Sequence, residues 1–298
     1  MGEGARLVSA RVAVLAGDGI GPEVTAAALA TLPEGFEIVD IGASADRYLE
    51  TGALIDDEEM AAIRECDALL FGAIGDPRVE DGVLERGILL RLRKELDLYV
   101  NLRPFPELEI VFVRENTEGL YAGLGERDGD VAAEISFNSR HAIERCARFA
   151  FELAETRSGR LTLVHKSNVL TYAGGLWRDV TDRVAKSHPD VEMTYEHADA
   201  AAYHLVRDPR RFDVVLTDNL FGDLLSDVAA AVGAGLENAA SANLHPDAST
   251  RPGRCVGMFE PVHGSAPDIA GRGIADPGAA IGAAQMMLDV LEKERAAL

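Results

Sequence analysis

The chain has 298 residues, 47% of them hydrophobic, and a formal net charge of −21. That length suits one large domain or two modest ones with real cores, and the acidity argues against nucleic acid and anionic membrane surfaces as partners. No apolar run reaches the roughly 18 residues of a membrane span. The start "MGEGARLVSARVAVLAGDG" has no charged segment followed by a long apolar block, so no signal peptide is expected, and "MGEGARLVSA" reads as a ragged start. Cys66, Cys146 and Cys255 are odd in number and widely spaced. They fit reduced thiols in the cytoplasm better than a disulfide frame or a zinc site.

In chain order, "RVAVLAG" (11–17) is an apolar, β-branched run ending in glycine and reads as a buried strand. "DGIGPEVTAAALATL" follows as a helix with Pro22 near its start. "FEIVDIG" (36–42) is strand-like, and "DDEEMAAIRECD" (56–67) is a helix with acids in its first turn. "ALLFGAIG" (68–75) is a buried strand running into a glycine loop. Further strands are expected at 109–116, 160–168, 191–199 and 212–219, with helices at 139–156, 174–188 and 221–234. "FEPVHGSAPDIAGRGIADP" (259–277) reads as a long ordered loop of the functional kind, before a helix over the rest of the chain. The alternation implies an α/β fold. No Pro/Gly/Ser linker parts the chain, so a second domain must be an insertion.

Several residues carry candidate chemistry. "GDGIGP" (17–22) joins a strand to a helix and could cradle phosphate on helix-terminal amides, but it does not match GxGxxG, so a plain tight turn is equally consistent. Arg93, Arg103 and Arg114 are arginine forks of the kind that grip carboxylates, against a bland reading as solvated surface. Lys166 follows an apolar strand, where an acid/base role competes with that of a surface lysine. Asp223 and Asp227 in "FGDLLSD" lie four apart, on one helix face, where like charges repel. Asp199 stands at a strand-to-helix junction, as a helix cap or as a third carboxylate. Three such oxygen donors suit Mg²⁺ or Mn²⁺, and a divalent ion would turn repulsion into shared ligation. Asp268 is placed to accept from a ribose diol.

"GDGIGPEV", "LRKELDLYVNLRP", "VRENTEGLYAG", "KSNVL", "DNLFGDLLSD" and "EPVHGSAPDIAG" follow one another from about residue 11 to about residue 290. Together they closely resemble the β-decarboxylating dehydrogenases, the isopropylmalate, isocitrate, homoisocitrate and tartrate enzymes. The resemblance implies a two-domain α/β fold that is not a Rossmann fold, with a mixed sheet flanked by helices. The first, cofactor-binding domain would join 1–99 to 234–298, and the second, at 100–233, would carry the metal ligands and the interface of a homodimer.

The activity implied is oxidation of a 3-substituted malate at C2 by NAD, followed by loss of CO₂ and protonation of the enol. Arg93, Arg103 and Arg114 would bind the substrate carboxylates, Lys166 would take the hydroxyl proton, and Tyr121 would protonate the enol. Asp199, Asp223 and Asp227 would hold the metal, with Lys166 and Asp199 lent to the neighbouring subunit's site. Ile20, Glu260, His263, Gly264, Ser265, Ala266, Asp268 and Asp276 would meet the cofactor. Asp268 would favour NAD over NADP by repelling a 2′-phosphate. Asp276 replaces an asparagine common in the family.

Leu89, Leu90 and Val169 would form an apolar pocket, which leaves a third carboxylate unpaired and points to 3-isopropylmalate within the family. Tartrate and malate enzymes share much of the pattern. The segment "FPELE" is shorter than its family counterpart, the stretch after "AATLP" looks short, and family chains usually continue beyond "VLEKERAAL". Two other classes stay open. A metal-dependent hydrolase or phosphotransferase would need the aspartates alone, and an inactive regulatory paralogue would have lost Tyr121, Lys166 or an aspartate.

Overall fold

The computed structural model describes residues 10–247 and 255–296, so the start assigned above to residues 1–9 lies outside them. Two compact units form, one from Met1–Asp97 with Glu237–Leu298 and the other from Leu98–Leu236.

In the first unit, β1 (Arg11–Gly17) leads through a glycine turn to α1 (Gly21–Leu29), then β2 (Glu37–Asp40), α2 (Ala45–Thr51), α3 (Asp57–Glu65) and β3 (Ala68–Ala73). A π-helical turn, Glu85–Leu90, runs into α4 (Arg91–Glu95). The second unit contains β4 (Val100–Phe105), β5 (Ile110–Glu115), β6 (Gly119–Asp128), β7 (Val131–Phe137), α5 (Arg140–Glu155), β8 (Arg160–His165), α6 (Thr171–Ala185), β9 (Glu192–His197), α7 (Ala198–Arg207), β10 (Val214–Thr217) and α8 (Asn219–Val232). The chain then returns to the first unit with β11 (Ala240–Leu244), β12 (Gly257–Pro261) and α9 (Gly278–Ala296).

Each unit has a mixed arrangement. In the first, strands run in the order β2-β1-β3-β12-β11, parallel except for the antiparallel pair β11–β12. In the second the order is β4-β5-β10-β8-β9, with only β4–β5 antiparallel. The central strands β3 and β10 are buried along their whole length, as continuous apolar runs in a sheet covered on both faces must be. The short segment between β4 and β5 is a 3₁₀ turn, Pro106–Leu108, which suits an antiparallel connection.

Local chemistry fixes the helix ends. Asp56 and Glu59 form a reciprocal capping box at α3. Ser139 caps α5 and Asp218 caps α8 through the Phe221 amide. The expected strand at 191–199 ends at His197, so Asp199 lies in the first turn of α7. The 259–277 stretch is not loop throughout, because its first residues belong to β12. The strands β6 and β7 escape the sequence reading. They form a separate two-stranded sheet with Leu124, Val131, Ile135 and Phe137 exposed.

Candidate active site

The richest cluster of chemistry lies in the second unit, on the faces of β4, β5 and α8. Arg114, the next-to-last residue of β5, is only 1% exposed. Its Nη1 donates to Asp223 Oδ1 at 2.5 Å, while Nε and Nη2 donate to Asn219 Oδ1 at 2.9 and 2.6 Å. Arg103 on β4 reaches the same carboxylate oxygen at 3.2 Å, Ser226 Oγ at 2.8 Å and Asn101 Oδ1 at 2.9 Å. Its Nη1 is 3.5 Å from Asp227. Tyr121 on β6 donates to the other oxygen of Asp223 at 2.7 Å, and its ring stands 5.1 Å from the Arg114 guanidinium. Asp223 thus gathers two arginines and a phenol at one point.

This geometry follows from helical spacing. Asn219, Asp223, Ser226 and Asp227 recur on one face of α8 and meet the arginines there. Arg114 can lie flat on that face because Gly222 has no side chain. A Cβ there would fall 2.6 Å from Arg114 Cγ. Leu225 is buried and Leu224 exposed, which makes α8 two-sided rather than a solvated helix.

Asp227 is half-buried, and its carboxyl is pushed up by burial and by Asp223, against the pull of Arg103. Two carboxylates one turn apart, one held above its ordinary range by burial and its neighbour, suit a hard divalent cation. Asp199 is not beside them in that role. Its carboxylate is 2.5 Å from Lys166 Nζ, and that bond holds it below the usual range. Among the described residues no three His, Cys, Asp or Glu side chains gather as a metal site within the chain.

Lys166 and Val169 lie on a turn after β8, in which the Lys166 carbonyl accepts from Val169 and Leu170. Val169 is 66% exposed.

In the first unit, Arg93 on α4 is buried against Glu260, with Nη2 donating to Oε1 at 3.0 Å. Asn243 supports Glu260 at 2.8 Å. The Nε–H of Arg93 is buried without a hydrogen-bond partner, which leaves one fork edge open for an anion. Leu89 and Leu90 are half-buried in the π-helical turn. Arg91 points elsewhere, to Glu95, Asp57 and the Ile55 carbonyl.

The glycine turn corrects one expectation. The amide of Asp18 donates to Ala73, that of Ile20 to Ser265 and that of Gly21 to Asp18. Those donors are consumed internally, so the turn is not a phosphate cradle. It instead ties Ile20 to the loop bearing His263, Gly264, Ser265, Ala266 and Asp268. The buried Asp18 carboxylate fixes it further through the Ala45 and Gly75 amides. His263 Nδ1 lies 3.0 Å from the Gly264 carbonyl, and its Nε2 is buried with no partner. Asp268 is exposed. An orphaned ring nitrogen and an open carboxylate on one loop fit a nucleotide with a ribose diol. Asp276 instead accepts from the Gly278 amide at the start of α9, which occupies one of its oxygens. A pocket of about 240 Å³ opens beside this loop, between Ser265, Pro267 and residues Gly75 to Glu85.

Sequence reasoning missed Asn219, Ser226, Asn101 and Asn243, which orient the arginines and Glu260. The helical spacing of Asn219 and Ser226 from Asp223 was the available signal.

The comparisons agree on the family. The profile described as isocitrate/isopropylmalate dehydrogenase matches residues 11–298. The 3-isopropylmalate dehydrogenase of Corynebacterium glutamicum is 51% identical, over 95% of this chain and 88% of that protein. That of Mycobacterium tuberculosis is 49% identical, over 96% and 90%. Among solved structures, isocitrate dehydrogenase from Methylococcus capsulatus superposes with a TM-score of 0.84 at 35% identity, covering 95% of this chain and 86% of the other. A β-decarboxylating dehydrogenase from Thermococcus kodakarensis gives 0.77 at 41% identity, covering 95% and 84%. The chain belongs to the isocitrate/isopropylmalate dehydrogenase family.

Proposed function

We propose that this chain is an NAD-dependent, divalent-metal-dependent dehydrogenase that converts 3-isopropylmalate to 2-oxoisocaproate and CO₂, in leucine biosynthesis. The observation that carries the reading is the convergence of Arg103, Arg114 and Tyr121 on Asp223. Two guanidinium groups and a phenol at one carboxylate form a ready site for an anionic substrate, and the substrate's carboxylates take over some of these bonds. The chain's net charge of −21 opposes an anionic substrate at long range, but buried arginines act locally against that acidic surface.

When bound, NAD⁺ supplies a hydride acceptor and the metal ion, Mg²⁺ or Mn²⁺, supplies a Lewis acid at the C2 oxygen. The protein's part is positional and protonic. Arg93, Arg103 and Arg114 hold the two carboxylates, and Lys166 takes the proton of the C2 hydroxyl. The C3–carboxylate bond then breaks, its electron pair forms the enol, and Tyr121 delivers a proton to C3. Asp223 and Asp227, with Asp199, would hold the metal. Ile20, Glu260, His263, Gly264, Ser265, Ala266 and Asp268 line the cofactor's place, with Asp268 on the ribose; Asp276 lies further along that side. Leu89, Leu90 and Val169 accept the isopropyl group, whose burial there is worth roughly 2 kcal/mol.

The reading includes a homodimer formed through the second unit, with Lys166 and Asp199 serving the other subunit's site. Its support is the exposed apolar set Tyr203, Val206 and Leu224 on the packed helices α7 and α8, and Leu124, Val131, Ile135 and Phe137 on the β6–β7 ribbon. Three buried, unbridged cysteines fit a reducing cytoplasm. No described helix is long and apolar enough to cross a membrane.

The test is stoichiometry. Purified protein given 3-isopropylmalate, NAD⁺ and Mg²⁺ is expected to release CO₂ and NADH in equimolar amounts, and EDTA is expected to stop both. NADH without CO₂ would overturn the decarboxylating half of the reading.

A further inference from the structure

We infer that Tyr195 is a positioning residue for Lys166, holding the backbone on both sides of the lysine so that its amine meets the substrate. The inference deepens the proposed function and rests on its assignment of Lys166 as the base.

Lysine is a poor choice for a precisely placed base. It has four rotatable bonds, and here it lies just past the last residue of β8, outside the ladder. Something else has to fix it. The Tyr195 hydroxyl, on the neighbouring strand β9, donates to the carbonyl of His165 at 3.0 Å and accepts from the amide of Ser167 at 3.0 Å. Those are the two residues flanking Lys166. Ser167 Oγ lies 2.8 Å and His197 Nδ1 3.0 Å from the same oxygen. A phenol has one O–H and two lone pairs. With the first two bonds made, one lone pair remains, and Ser167 Oγ and His197 compete for it. The hydroxyl is therefore fully committed to the chain around Lys166.

The ring is held as well. The Arg178 guanidinium stands 4.9 Å over its face, and the His197 ring packs edge-on at 5.2 Å. The helix α6 also presses directly on Ser167. A Cβ on Gly174 would fall 2.5 Å from Ser167 Cα, so only glycine permits that approach. The residues flanking Lys166 are thus held by a phenol clamp and by close packing on a helix, and its side chain is aimed by Asp199 at 2.5 Å. The same clamp fixes the turn that presents Val169. None of these residues needs to touch the substrate.

Tyr195→Phe removes the hydroxyl and keeps the ring. A displacement of about 1 Å at a reacting group costs up to about a hundredfold in rate. The variant is expected to lower kcat about tenfold to a hundredfold, with KM for 3-isopropylmalate within about twofold. The isotope effect on kcat with C2-deuterated substrate should rise, because the oxidation step becomes more nearly rate-limiting. Titration with NAD⁺ counts the intact sites, so rates are expressed per folded site even where part of the preparation unfolds. Gly174→Ala, which pushes on Ser167 directly, should give the same split. Lys166→Met is measured alongside. If Lys166→Met is inactive and Tyr195→Phe turns over at the unmodified rate, the positioning role is overturned and the base stands. If Lys166→Met keeps its turnover, the base assignment itself falls. A Tyr195→Phe loss confined to KM would also overturn the proposal.

Discussion

Asp218→Asn is expected to stabilise the protein at neutral pH, because the carboxylate it removes is a charge forced into the core. Asp218 is 5% exposed and caps α8 by accepting from Phe221 at 2.9 Å. Burial raises its carboxyl from an ordinary 3.8 to about 6, and Glu115 adds to the rise while the Phe221 amide and Arg114 oppose it. A tenfold change in proton affinity is worth about 1.4 kcal/mol, so at pH 7 ionised Asp218 costs the fold about 3 kcal/mol. Asparagine keeps the cap without the charge. The expected gain is about 1–3 kcal/mol at pH 7, read from urea midpoints, and it shrinks as pH falls, to nearly nothing by about pH 3, where the aspartate is largely protonated folded or unfolded.

The sign of the pH dependence gives a second handle. An acid whose folded value is raised makes stability fall as pH rises from 3.8 to about 6. His165, fully buried with Nε2 3.5 Å from Asp218, is pushed by burial from 6.5 to about 4. It makes stability fall as pH drops over nearly the same range. The two slopes oppose each other, so the unmodified protein should show a shallow profile there. Asp218→Asn should unmask the histidine slope, up to about 1.4 kcal/mol per pH unit. Equal gains at pH 4 and pH 7, or no gain at pH 7, would refute the reasoning.

Other outcomes follow from the site. Tyr121→Phe should cut kcat about a hundredfold through loss of the proton donor, while 3-isopropylmalate oxidation, followed as a partial NADH burst, persists. Asp223→Asn removes one charge from the proposed metal-binding pair and loosens Arg103 and Arg114. It should raise the Mg²⁺ concentration needed for half-maximal rate at least about tenfold, seen by titrating Mg²⁺ into chelated enzyme. Leu90→Arg should lower kcat/KM for 3-isopropylmalate by about 2 kcal/mol or more, a factor of roughly thirty, and improve acceptance of a tricarboxylate such as isocitrate; unchanged preference would remove Leu90 from the pocket.

Much of the alternation of strands and helices was readable, because β1, β3 and β10 are unbroken apolar runs and the main helices carry caps and amphipathic spacing. The strands that escaped lack that signal. β7 is exposed throughout, β11 is built largely of small residues, and β12 stands at the edge of a Gly/Pro-rich stretch. In the site, the charged residues were visible as types in a pattern, but their pairing was not. Arg93 meets Glu260 across 167 positions of sequence, and Arg114 meets Asn219 across 105. Such contacts are set by the topology of parallel strands, which carries no local signature. Tyr195 illustrates the same limit. It looks like an ordinary half-buried strand tyrosine until β8 and β9 lie side by side with Leu163 opposite it.

The most direct test of the account is a comparison of kcat/KM, followed by NADH absorbance with Mg²⁺ present, for 3-isopropylmalate, tartrate, malate, isocitrate and homoisocitrate. The account predicts a preference for 3-isopropylmalate of at least about a hundredfold over tartrate, isocitrate and homoisocitrate, the scale on which a closed apolar pocket rejects an unpaired polar group, and of roughly thirtyfold over malate, which only lacks the buried isopropyl group. A higher value for tartrate, malate or either tricarboxylate would contradict the leucine pocket, and no turnover with any of the five would contradict the assigned activity itself.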